Sequence, residues 1–354
     1  MNNKELDLGI QYLRGMAALF VVFFHLRSLL DTIIPSVKLG DLLFGQGGAG
    51  VDIFFIISGY IITLSTQSKH NASAKDFVIK RFFRIYPPFI VCLIIFLIVL
   101  ASLGATFPIS QIIKSSLLLH KDYTQGAPFF GYNILYPAWT LAYEVYFYAI
   151  FCLALLISHK HRVLVSSIFI VISTLSIQLY FSGSFSLKAS ETGGYGNGAF
   201  NLMASPMLIE FIAGMLLYKI RNVMPKGPQW RLFYLFGGVY ALFAIFSGVN
   251  AGHGIDGYGL WAIILVSCCV FMEKSSPFSN IKPLFFLGEI SYSIYLSHVI
   301  VINIVADRMI IKGYNGLPGF MMILSLCIVM SSILFLLIEK RSIQIGRSFI
   351  KKMA

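Results

Sequence analysis

Charge is scarce in this chain. Only 12% of its 354 residues are Asp, Glu, Lys or Arg, about half the share found in soluble domains. Together with 57% hydrophobic residues, this excludes a soluble globular protein, a disordered chain and a collagen-like fibre. Cysteine is sparse too. Cys92, Cys152, Cys268, Cys269 and Cys327 all fall inside apolar runs, none at metal-ligand spacing from a histidine. That excludes a disulfide framework and leaves no metal expected. The opening, MNNKELDLGI, has no basic stretch and no small-residue cleavage site, so the first apolar run is expected to be retained. No internal repeat and no separate soluble domain is visible; the whole chain, 1–354, reads as one integral-membrane domain.

Apolar and basic residues dominate what is present. The chain has 32 Phe and a mean hydropathy of +0.80. Ten apolar runs stand out, at 10–30, 44–65, 86–104, 137–157, 163–181, 203–218, 232–248, 257–272, 284–304 and 318–338. A span needs roughly 20 apolar residues, so the sixth, seventh and eighth runs are at the short end. The expected fold class is all-α, a polytopic membrane helix bundle of about ten spans. The stretch 108–120 is too short and polar to cross and suits the interface or a re-entrant loop. The net charge of +12 would suggest nucleic acid in a soluble chain, but these basic residues sit between apolar runs. With both termini cytoplasmic, only Arg27, Lys38, Lys114, Lys121, Lys188, Arg308 and Lys312 fall outside, leaving 20 of the 27 within. The positive-inside rule therefore predicts cytoplasmic termini and no nucleic-acid partner.

Ionisable side chains inside a span are costly and usually face the bundle interior at a functional site. Arg14 lies near the inner end of the first run, and His25 is eleven residues further up, or roughly 16 Å. Counting along the other runs puts Asp52, Glu144, Glu210 and His298 at about the depth of His25. Arg14, Arg81 and Arg84 gather near the inner surface. The layering suggests an anion-binding mouth inside and an acid/base layer nearer the outside. Each residue also has a plainer reading. A histidine in a span also serves as a hydrogen bond between helices. Asp52 suits an anchor at a helix end, Arg81 and Arg84 suit ordinary positive-inside anchoring, and Glu210 suits a structural contact.

These same residues carry a resemblance. YLRGMAALFVVFFH (12–25) resembles the opening motif of the acyltransferase 3 family, and GVDIFFIISGYII (50–62) its second. KRFFRIYP (80–87) is similar to its Arg-x-x-Arg element. PAWTLAYEVYFY (137–148) is similar to its Trp-Ser-Leu run, with Thr140 where serine is usual. LGEISYSIYLSHVIVI (287–302) and LIEKRSIQIGR (337–347) resemble the last two elements, the latter without the proline often found after it. Six motifs in order over nearly the whole chain make a specific match.

The resemblance implies a multi-pass O-acyltransferase of the bacterial inner (plasma) membrane. It implies acetyl-CoA as donor substrate and a carbohydrate or lipid-linked glycan, such as O-antigen or exopolysaccharide, as acceptor. It implies the stand-alone type, without the SGNH hydrolase-like domain of some relatives. By the same carry-over His25 is the catalytic histidine, with Glu144 and Asp52 as acids. Arg14, Arg81 and Arg84 bind the donor, and Trp139, Tyr143, Tyr292 and His298 contact substrate. A hydroxyl becomes a good nucleophile when a base removes its proton. A ring buried among Phe20, Phe23 and Phe24 is expected to stay neutral, the form a base requires. Glu144, or else Asp52, is expected to orient that ring. Arg81 and Arg84, one turn apart, suit the phosphates of coenzyme A. Two other readings remain: a proton-coupled transporter or channel, which also uses intramembrane His and acids, and transfer of another acyl group or to a non-carbohydrate acceptor.

Overall fold

The computed structural model describes residues 7–34, 36–68, 73–311 and 315–353, with the backbone alone for 306–311. Lys4, Lys69 and Lys312 of the charge count thus lie outside the described residues, as does the side chain of Arg308. No strand occurs among the described residues. The helices run α1 (Leu8–Asp31), α2 (Leu39–Phe44), α3 (Gly50–Ser65), α4 (Ala74–Ser102), α5 (Ile109–Ser116), α6 (Trp139–Ile157) and α7 (Arg162–Ser182). They continue as α8 (Gly198–Met203), α9 (Met207–Ile220), α10 (Pro228–Phe246), α11 (Leu260–Ser275), α12 (Lys282–Glu289), α13 (Ser291–Ile311), α14 (Gly316–Leu334) and α15 (Lys340–Met353).

Among the described residues, eight helices are long and apolar enough to cross a membrane, nine when α12 and the first part of α13, bent by 70° at Ile290, count as one span. The protein is a polytopic helix bundle. The sixth expected run, 203–218, is α9. Its 14 residues give about 21 Å of helix, short of a bilayer core near 30 Å. α9 lies hard against α3 through two glycines. A side chain on Gly59 would meet the backbone of Phe211, and one on Gly214 would meet the backbone of Ile56 and Tyr60. Small residues allow such close approach where lipid offers no hydrophobic drive to association. The stretch 108–120 contains α5, whose Ile109 and Ile113, with Leu117 just beyond, are exposed. This stripe, four residues apart, suits a helix lying on the interface.

Both described ends sit at one end of the bundle. Asp7 pairs with Lys274 at the close of α11 and accepts a hydrogen bond from the Tyr60 hydroxyl near the close of α3. Glu273 accepts from the backbone N–H groups of Leu8 and Gly9 at 2.7 and 2.8 Å, so a carboxylate from α11 caps α1. The Ser342 hydroxyl of α15 bonds the carbonyl of Phe83 on α4. Three apolar clusters fill the interior, and Phe54 packs against all three. Tyr295, on α13, packs on Phe54 at that meeting point.

Candidate active site

The site begins with two histidines. In α1 the His25 Nδ1 lies 2.8 Å from the carbonyl of Val21, one turn back. In α13 the His298 Nδ1 lies 3.1 Å from the carbonyl of Ile294. A carbonyl only accepts, so each neutral ring carries its hydrogen on Nδ1 and leaves a lone pair on Nε2. The ring centroids are 5.0 Å apart. His298 is wholly buried, and its Nε2 has no hydrogen-bond partner. His25 keeps partial exposure and has Phe24 and Tyr136 as ring neighbours at 5.2 and 5.7 Å.

A second group gathers nearer the end that carries the termini. Arg84 lies 3.6 Å from Glu339 Oε1, and Glu339 also accepts from the Ser293 hydroxyl at 2.7 Å. Glu339 closes a π-helical turn, Phe335–Glu339, between α14 and α15. Such a turn rotates the following register, and these turns are frequent at functional sites. Arg81 donates to Ser65 Oγ at 2.9 Å and lies 5.5 Å from the rings of both Phe77 and Tyr148. Arg14 donates to Gln11 at 3.2 Å, and its charged neighbours include Arg84, Glu339 and Glu144. Three guanidiniums therefore share their surroundings with two carboxylates. Among the described residues Arg14 and Arg81 form no ion pair. A surplus cation inside a bundle is costly unless an anion joins it.

Helix α13 connects the two groups. Tyr292, Tyr295 and His298 follow at helical spacing on one face. Tyr292 lies beneath Arg84, with the guanidinium 5.9 Å from its ring, and Tyr295 lies 6.3 Å from His298. Tyr295 also packs on Phe54 at 5.8 Å, and its hydroxyl meets Thr140 Oγ1 at 2.8 Å. Tyr292 is partly exposed, as are Arg14, Arg81, Arg84, Glu144 and Ser58 around it.

Two expectations about the acids need correction. Glu144 does not orient His25. Its carboxylate accepts from Ser58 Oγ at 2.7 Å and from the Tyr148 hydroxyl, within the arginine group. Asp52 does not orient it either. Asp52 is fully buried and holds His253 Nδ1 at 2.8 Å and the N–H of Gly254 at 3.1 Å. What holds the His25 ring is the carbonyl of its own helix. Glu210 is wholly buried beside Asp52. Trp139 is buried against Tyr143 and His253, with ring centroids 5.8 and 5.5 Å away. Tyr143 is fully buried, and its hydroxyl is spent on the carbonyl of Pro128 at 2.9 Å, which leaves it no direct contact with a substrate. Ser58, Tyr148, His253, Tyr295 and Glu339 join the candidate site without having been singled out. Ser58, Tyr148, Tyr295 and Glu339 lie inside the quoted motifs; His253 does not.

The chain belongs to the acyltransferase 3 family, whose acyltransferase-domain model matches residues 7–339. It is a multi-pass membrane protein of an acyltransferase family. It is 26% identical to the exopolysaccharide production protein ExoZ of Rhizobium meliloti, over 78% of this chain and 83% of that one. It is 27% identical to a candidate membrane-bound transacylase, BcsY, of Komagataeibacter xylinus, over 96% of this chain and 83% of that one. A candidate O-acetyltransferase of Staphylococcus aureus strain COL is 25% identical over 94% of this chain, which spans 56% of that longer protein. No solved structure matches the chain.

Proposed function

We propose that this protein transfers an acyl group, acetyl, from acyl-CoA to a hydroxyl of a cell-surface glycan. The termini and the arginine group face the cytoplasm of a bacterial inner membrane, and the histidine pair lies toward the opposite side. The names of ExoZ and the Staphylococcus relative, exopolysaccharide production and O-acetyl transfer, support the substrate class. Arg81 and Arg14, which form no ion pair among the described residues, supply guanidiniums for the coenzyme A phosphates. Tyr292 and Tyr295 lie along α13 between that mouth and the histidine pair. There the acceptor oxygen attacks the thioester carbon while His25 Nε2 takes the hydroxyl proton. The carbon–sulfur bond then breaks, and the thiolate leaves with a proton, giving an O-acyl ester and free coenzyme A.

The observation that carries this reading is the free Nε2 of His25, fixed by the Val21 carbonyl and set 5.0 Å from a second such ring. The test is compositional. Surface glycans from cells with and without the gene are treated with mild alkali, and the released acetate is measured. Loss of acetyl ester on deletion, restored by the parent gene but not by His25→Ala, is expected. Identical acetate from both strains would reject the assignment.

A further inference from the structure

The dyad of Asp52 and His253 is left without a role by this chemistry. It lies at the end of the bundle opposite the termini, where the second motif meets the glycine-rich segment around Gly252 and Gly254. The Asp52 carboxylate fixes the hydrogen of His253 on Nδ1, so Nε2 is an acceptor. The His253 side chain is 12% exposed, whereas Asp52 beneath it is completely buried. Its Nε2 edge looks toward Gly48: a Cβ there would stand 3.8 Å from His253 Cε1 and 3.9 Å from Nε2.

Aromatic rings enclose the dyad. Trp139, Tyr258 and Phe129 lie 5.5, 5.7 and 5.8 Å from the His253 ring, each edge to face. Tyr132 stacks on Phe129 at 4.9 Å and is 39% exposed. Leu118, Phe130 and Tyr132 hold φ of 57°, 44° and 57°, left-handed values that bulky residues adopt only when their surroundings enforce them. Phe130 is completely buried and packs beside His120, so the segment is anchored while Tyr132 projects. The setting is acidic: the Asp52 carboxylate lies under the ring, and Lys188 of the neighbouring segment is engaged with Glu191 at 3.8 Å. Gly47, next to the Gly48 that faces His253, packs on α1 at Phe20 and Phe24, the turn that precedes His25.

We propose that His253, held by Asp52 and flanked by Phe129, Tyr132 and Trp139, forms the subsite that binds a neutral sugar ring of the acceptor. A pyranose has an apolar C–H face, which suits the side of the half-exposed Tyr132 ring turned away from Phe129. It has hydroxyls at its rim, one of which donates to His253 Nε2. An acidic setting favours a neutral hexose or hexosamine over a uronic acid. This rests on the glycan-acylation reading above. His253 is here a binding and positioning residue, separate from the base at His25.

The test reads binding without acyl transfer. Replacing Trp230 and Trp261 by Phe leaves Trp139 as the sole tryptophan, since the chain has three. Its fluorescence in the purified full-length protein is titrated with methyl glycosides of glucose, galactose, mannose and N-acetylglucosamine, and with methyl glucuronide. At least one neutral glycoside should give a saturable change, weakened about tenfold in both His253→Ala and Tyr132→Ala, with little response to the glucuronide. Tyr132 is exposed, so its variant tests the site even if His253→Ala fails to fold. His25→Ala should bind as the parent does. No saturable change with any neutral glycoside, or equal affinity in Tyr132→Ala, would overturn the assignment while leaving acyl transfer standing. Sugar binding without acyl transfer would instead reject the enzymatic reading and keep the subsite.

Discussion

His25→Ala should lower acyl transfer by about 10²- to 10⁴-fold, the range that a positioned base contributes, while leaving the bundle folded. The ring is partly exposed, and its one polar contact is the carbonyl of Val21, a group that a helix already satisfies through its own N–H ladder. Little packing is therefore lost. The sharper variant is His25→Gln. Glutamine keeps a polar side chain on the same helical face but has no basic nitrogen, so it should be as inactive as alanine. Purified variants, assayed for thiol release from acetyl-CoA in the presence of glycan, give the comparison. A His25→Gln protein that keeps half of the parent rate would show that the proton goes elsewhere. His298 shares the tautomer but is wholly buried, so its replacement should cost stability as well as rate.

The two arginines of KRFFRIYP should fail in different ways. Among the described residues Arg81 has no carboxylate within ion-pair range, and it rests on Ser65 and two aromatic rings. Arg81→Ala should therefore raise KM for acyl-CoA roughly ten- to hundredfold, the value of a charged hydrogen bond, with little loss of thermal stability. Arg81→Lys should recover only part of this, because an ammonium lacks the planar fork that grips phosphate. Arg84 is tied to Glu339, whose side chain is completely buried. Arg84→Ala leaves that carboxylate without its ion-pair partner, at a cost of about 3–5 kcal/mol, visible as a large fall in the melting temperature. The double variant Arg84→Ala/Glu339→Gln should recover much of the stability. Equal melting temperatures for Arg81→Ala and Arg84→Ala would contradict the division of labour drawn here.

The contrast between these residues shows what the sequence could carry. Hydropathy marked the spans, since lipid imposes length and apolarity on every helix that crosses it. α9 was marked as short and is short. Counting residues along each run put His25, Asp52, Glu144, Glu210 and His298 in one layer. Depth, however, says nothing about rotation about a helix axis. The five residues divide into three sets: His25 with His298, Asp52 with His253 and Glu210, and Glu144 with the arginines. The partner of Asp52 is 201 residues away in a glycine-rich segment with no periodicity to mark it. Glu339 was within a recognised element, but its inward aim depends on a π-turn that a 3.6-residue repeat does not anticipate. The motif residues could be located in advance; which of them touch was decided by helix rotation and by the loops at the end of the bundle opposite the termini.

The central claim is that one protein takes an acyl group from coenzyme A and leaves it on a sugar. Acetyl-CoA labelled in the acetyl group, mixed with the purified protein in lipid nanodiscs and with glycan from a deletion strain, tests it directly. Alkali-labile label should accumulate on the glycan at the rate at which free thiol appears, and His25→Ala should give neither product. Thiol release with no label on the glycan, or labelling at the parent rate by His25→Ala, would contradict it.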